Sequence, residues 1–274
     1  MPARHALGLG LELVVPAAGH PAREDFVALA SLVSAAEEAG YSTVWLRGAS
    51  DAGRGVDPVP VVGALVERTT SLGLGVVCGG GSGRHPAILA RELTTLDGLS
   101  GGRAALHLVA PSGTEAWARL SESVQVCRLL FSDDGAVDFD GEHFSVHLAA
   151  NRPTPEFAGG PLLLVGLPGR GDRAALDALL AGAHGAVVEG SVAAVAGGRA
   201  ELDGATAGGR AERPSLVWRG RLPSSSTERV SLVEAVTSAG ADAVIIRLGE
   251  GRAASPRDVR DAGAAILPLL TRAA

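Results

Sequence analysis

The chain has 274 residues and a formal net charge of -6, with 46% hydrophobic and 20% charged side chains. That balance supports a sizeable core and argues against long disordered tracts, a general nucleic-acid surface or a basic membrane-binding face. All 24 basic residues are arginine, which excludes a lysine Schiff base, pyridoxal phosphate attachment and the lysine-bearing phosphate loop.

Short apolar runs alternate with amphipathic helices along almost the whole chain. The predicted strands are 7–15, 43–47, 72–78, 104–109, 161–167, 185–189, 215–219 and 243–248. Between them, apolar residues recur at helical spacing. Phe26, Leu29, Val33 and Ala36 form one stripe, Trp117, Leu120, Val124, Cys127 and Phe131 a second, and Val259, Ile266, Leu267 and Leu270 a third. Eight strand–helix units without a long linker predict a single (β/α)8 TIM-barrel domain over 1–274, with a doubly wound open sheet as the alternative. Residues 137–146 read as a small hairpin inserted between the fourth helix and the fifth barrel strand. Its turn is at Asp140-Gly141, with the glycine expected to supply a positive φ. The Ala/Gly-rich stretch 192–211 predicts a weak, poorly packed sixth crossover.

Cys78 and Cys127 lie far apart, with no metal-type spacing, and read as free thiols. No apolar run approaches the roughly 20 residues a membrane span needs, and no leader pattern opens the chain. A cytoplasmic protein without nucleic-acid or membrane partners is the expectation. His143 and His147 are four apart in the hairpin but lack convergent carboxylates, so no metal site is predicted. No Gly-x-Ser-x-Gly elbow offers an acyl-transfer nucleophile. Barrel chemistry sits at the C-terminal strand ends, here 47–51, 78–84, 107–113, 166–172, 189–191, 219–223 and 248–252.

Several segments, in order, carry a resemblance: AEEAGYSTVWL (36–46), DPVPVVGALVERTTSLGLGVV (57–77), RHPAILARELTTLDGLSGGR (84–103), FDGEHFSV (139–146), AGADAVIIRL (239–248) and AAILPLL (264–270). Together they are similar to the bacterial luciferase-like flavin and deazaflavin oxidoreductases. The resemblance implies a TIM barrel, a small-molecule substrate, two-electron redox chemistry and, among its monooxygenases, oxygen activation. FMN is the first cofactor candidate, a deazaflavin coenzyme or no cofactor the alternatives. A reduced-flavin donor and a homodimer are further implications, with the apolar face around Val61, Leu65 and Leu96 as a compatible contact.

Local physics explains much of these motifs. Asp57-Pro58 reads as a helix start and Ser100-Gly101-Gly102 as a helix stop. Arg91, Glu92 and Asp97 read as helix-to-barrel polar contacts, and His85 as a hydrogen-bond donor fixing a loop.

For the site, Gly79, Gly80 and Gly81 at the end of the third strand read as a wall of the ring slot or as a plain flexible loop. Gly166, Gly169, Arg170 and Gly171 read as a phosphate cradle or as a capped turn, with Asp172 as N-cap. Pro168 there supplies no amide donor.

Three departures from the family pattern stand out. His107 and Val109 occupy the two glycine slots of the fourth strand. Either His107 acts as a proton donor beside the flavin, its pKa suiting near-neutral acid–base work, or the pair fills the flavin's space. Ala49 stands at the usual second-strand histidine, leaving Arg47 as an anion-binding residue or as a partner of Asp51 or Asp57. The segment after the fourth strand is short, implying a trimmed lid. These departures support an alternative: a degenerate member that binds another ligand or partners a catalytic paralogue.

Overall fold

The computed structural model describes residues 7–15, 23–48, 56–79, 84–109, 114–132, 135–167, 173–206, 213–248 and 254–271. Strands and helices alternate: β1 (Leu9–Val15), α1 (Arg23–Glu38), β2 (Thr43–Gly48), α2 (Pro58–Val66), β3 (Gly73–Gly79), α3 (Pro86–Ser100), β4 (Ala104–Val109) and α4 (Thr114–Ser132). A two-stranded hairpin, β5 (Ala136–Asp140) and β6 (Ser145–Ala150), interrupts the alternation. It resumes with β7 (Leu162–Gly166), α5 (Arg173–Gly182), β8 (Gly185–Glu189), α6 (Val192–Thr206), β9 (Ser215–Arg221), α7 (Ser226–Ser238), β10 (Ala243–Arg247) and α8 (Pro256–Leu270).

The sheet closes. Strand order is β1-β10-β9-β8-β7-β4-β3-β2, and β1 pairs in parallel with both β10 and β2, Gly10 lying opposite Ile245 and Thr43. The open-sheet alternative is thereby excluded, and all eight predicted barrel strands are present. Among the described residues no helix is long and apolar enough to cross a membrane, and no acid–histidine–cysteine group could hold a metal.

Strand alternation divides the core in two. Outward residues pack against the helices. Trp45, Val77, Ala105, Leu164, Val187, Val217 and Ile245 fill the lumen. Trp45 is fully buried and donates from Nε1 to Thr43 Oγ1 at 2.9 Å. Its ring needs the bare backbone of Gly75, where a Cβ would overlap it.

The N-terminal end of the barrel is locked by Arg103. Its Nε donates to Ser100 O (2.8 Å), Nη1 to Thr69 Oγ1 (2.7 Å) and Leu72 O (2.9 Å), and Nη2 to Val66 O and Thr69 O (both 3.2 Å). The fork thus serves carbonyls that the end of α2 leaves without intrahelical partners. Gly101 and Gly102, at φ 67 and 84, stop α3 and deliver the arginine to that position.

Helix starts follow the expected chemistry with one reversal. Asp57 caps α2, accepting from Val59 N at 3.0 Å. His85 caps α3 as an acceptor, its Nδ1 receiving Ala87 N at 3.2 Å, rather than as the expected donor. Glu92 binds Arg84 at 3.1 Å and Asp97 accepts from Glu156 N at 3.0 Å, whereas Arg91 points to solvent. The hairpin turn also differs from expectation. Gly141 has no positive φ; it is small because a Cβ would strike the Glu122 carboxylate. That carboxylate accepts the amides of Glu142, His143 and Phe144 at 2.7, 2.8 and 3.0 Å, fastening the hairpin to α4.

Two packing expectations change. α6 is a regular helix over Val192–Thr206, with Val195 and Leu202 buried, and 207–211 lie outside the described residues. Leu65 and Leu96 are buried within the subunit and Val61 is half-buried, so they offer no free dimer face. Four residues separate β4 from α4.

Candidate active site

The inward parity that places Trp45, Val187, Val217 and Ile245 in the lumen places Arg47, Glu189, Arg219 and Arg247 one step nearer the C-terminal mouth. Glu12 joins them from β1. Arg219 and Glu12 are 4% and 3% exposed. Arg219 grips Glu12 through Nη2 at 2.7 Å and through Nε, and reaches Glu189 through Nη1. Arg47 Nε donates to the same Glu12 at 3.3 Å, and Arg247 Nη2 to Glu189 at 3.5 Å. Burial works against Arg219's charge, but Glu12 and Glu189 outweigh it and raise its pKa, so it stays charged. Burial pushes Arg247 the other way, below its ordinary value, with repulsion from Arg219 and Arg221 added.

His107 lies on the inner face of β4, 1% exposed, with its ring edge-on to Trp45 at 6.3 Å between centroids. Neither ring nitrogen has a hydrogen-bond partner among the described residues. Burial, and then the charge of Arg219, push its pKa down to about 3. It is therefore a neutral imidazole at physiological pH, one donor and one acceptor. The expectation of an acid–base group titrating near neutrality does not hold.

A cleft of about 460 Å³ opens beside His107 at the ends of β4, β7 and β8. Val109, Gly166, Val187 and Trp117 form much of its wall, and Gly197 and Gly198 of α6 face it from outside the sheet. Glu189 and Glu201 supply its acidic edge. The volume falls within the range of small-molecule sites, mostly apolar with a few polar groups.

The structure thus gathers three of the predicted residues, His107, Val109 and Gly166, around one cleft. Gly79 is the register partner of Val109 on β3. Arg47 stands apart in the charge network, paired with Glu12, while Asp57 is engaged by Arg84. Gly80, Gly81, Gly169, Arg170 and Gly171 lie outside the described residues, as do Asp51 and Asp172. Glu12, Trp117 and Glu201 had not been singled out as site residues. Glu12 was detectable as a lone acid at an inward position of an apolar strand.

A closed parallel barrel with charged and cleft-lining side chains at the carboxyl ends of the strands defines the class: a (β/α)8 protein with its candidate site at the face where such barrels carry theirs. Residues 9–214 match the family described as luciferase-like monooxygenase, and the chain belongs to that family. No curated protein matches the sequence. Among solved structures, the fold is similar to an F420-dependent secondary alcohol dehydrogenase in complex with an F420-acetone adduct, at 13% identity and TM-score 0.79, covering 96% of this chain and 99% of that one. It is similar to the monooxygenase RslO1 from Streptomyces bottropensis, at 19% identity and TM-score 0.75, with the same coverage. It also resembles the oxygenating constituent of 3,6-diketocamphane monooxygenase from Pseudomonas putida in complex with FMN, at 16% identity and TM-score 0.59, covering 83% of this chain and 71% of that one. At these identities the likeness is one of fold.

Proposed function

We propose that this chain is a flavin-type oxidoreductase acting on a small organic molecule, with FMN as the first candidate coenzyme and a deazaflavin as the second. The observation that carries this reading is the buried imidazole of His107, without a hydrogen-bond partner among the described residues, facing the cleft. A buried polar group without a partner is costly, and the polar edge of a planar heterocycle would satisfy it. The residues fit such a ring. Val109 and Val187 offer apolar faces, and Gly166 lets the ring approach the backbone of β7. Glu189 and Glu201 disfavour a phosphate along α6; Gly169, Arg170 and Gly171 of the sequence are kept as the proposed phosphate cradle.

The coenzyme, when bound, supplies the two-electron redox chemistry. The protein's part is binding and orientation. His107, held neutral, offers one N–H to an acceptor on the ring or substrate. The Glu12–Arg219 ion pair, with no net charge of its own, fixes the polar inner wall that acts on His107 through Arg219. A reduced-flavin donor would serve as the source of reducing equivalents.

A second reading is favoured by the crowded lumen, where Arg219, Glu12 and His107 occupy the level just below the mouth: a family member that keeps the barrel and binds a different ligand. FMN titration followed by fluorescence quenching separates the two. Saturable quenching, weakened about tenfold by His107→Leu, supports the redox reading. A colourless protein that quenches neither FMN nor a deazaflavin supports the second.

A further inference from the structure

Among the described residues, Arg221 and Arg247 at the mouth are not matched by acids. Glu12 binds Arg47 and Arg219, and Glu189 binds Arg219 and, at the longer distance, Arg247. Arg221 is exposed and pairs in register with Arg247. Arg247 Nε finds no hydrogen-bond partner among the described residues, and its contact with Glu189 is a long one at 3.5 Å. Among the described residues, the adjacent Arg221 and Arg247 thus set two positive charges against the one long Glu189 contact of Arg247. Crowded, partly desolvated like charges are relieved by an added anion. In the strand order, β10 lies directly across the barrel from β4, so an anion at Arg247 and Arg221 would face His107 and Val109 over the mouth.

We propose that Arg221 and Arg247 form a binding site for the carboxylate of an organic acid, whose remaining body extends across the mouth toward the cleft. A guanidinium fork matches a planar carboxylate, and two adjacent forks fix its direction. The identification of this acid as the substrate rests on the redox reading above; its binding does not.

The test uses the full chain without coenzyme and titrates benzoate against its neutral analogue benzamide by calorimetry. Benzoate should bind and benzamide should not. Arg221→Gln, an exposed change, and Arg247→Gln should each weaken benzoate about tenfold, and added salt should weaken it further. Equal binding of both compounds, binding of neither, or benzoate affinity unaltered in Arg221→Gln overturns the site. Saturating FMN separates the two sources of an anion. If FMN displaces benzoate and Arg221→Gln weakens FMN equally, the arginines serve the coenzyme phosphate and the substrate assignment is overturned. Benzoate binding in a protein that binds no flavin leaves the site standing and removes only the redox reading.

Discussion

Arg103 and Arg247 stand at opposite ends of the same barrel and show what satisfaction of a charged group reveals. Arg103, where the chain enters β4, spends all five of its N–H directions on Ser100, Val66, Thr69 and Leu72. It is a structural bolt between α2, α3 and β3. Among the described residues Arg247, the last of β10, has no partner at its buried Nε and a long contact to Glu189, with Arg219 and Arg221 acting on it. The first guanidinium is fully bonded inside the fold; the second is not.

The largest expected effect tests that contrast directly. Arg103→Met should lower the unfolding free energy by about 3 kcal/mol, because several carbonyls lose their donors inside the fold. Arg247→Met should change it by less than about 1 kcal/mol, since it also relieves repulsion. Urea unfolding of both measures the difference, and equal losses would erase the distinction. Next in size, Gly75→Ala should cost about 2 kcal/mol through overlap with Trp45, and Trp45→Phe in the same background should recover part of it.

A third test concerns the buried histidine. Its folded pKa, about 3, lies below its ordinary 6.5, so the unfolded chain takes up the proton first. Stability should therefore fall as pH drops from about 6.5 toward 3, by about 1.4 kcal/mol per unit from this group. His107→Leu should remove that component and raise stability at neutral pH by about 1 kcal/mol, since it removes an unsatisfied buried polar group; unfolding curves at pH 7 and pH 5 for both proteins decide it. The smallest effect concerns the thiols. Burial pushes Cys78 and Cys127 up to about 12, so iodoacetamide should label the native protein less than about a tenth as fast as the urea-unfolded chain.

The barrel was legible because its rules are local and repeated. Short apolar runs marked the eight strands, Asp57-Pro58 a helix start, and the glycines after Ser100 a helix stop. The site was legible only in part, because it depends on which inward positions meet across the lumen. Glu12 lies 207 residues from Arg219 in sequence, and no local pattern links them. Parity alone could have found the network: Arg47, Glu189, Arg219 and Arg247 each follow an inward apolar residue by two. His107 was placed correctly on the inner face. Its protonation state depends on the depth of its burial and on Arg219, neither of which a strand pattern displays. The turn at Gly141 was misread because its constraint comes from Glu122 on another helix.

The glycines of α6 carry a consequence beyond packing. A Cβ at Gly197 would meet nothing within 4 Å, and one at Gly198 would come within 3.1 Å of Leu167. The room beside β8 is thus set by side chains that α6 omits. Larger residues at position 197 would narrow the cleft from outside the sheet, so its shape can change through one crossover helix while the eight-stranded frame stays unaltered.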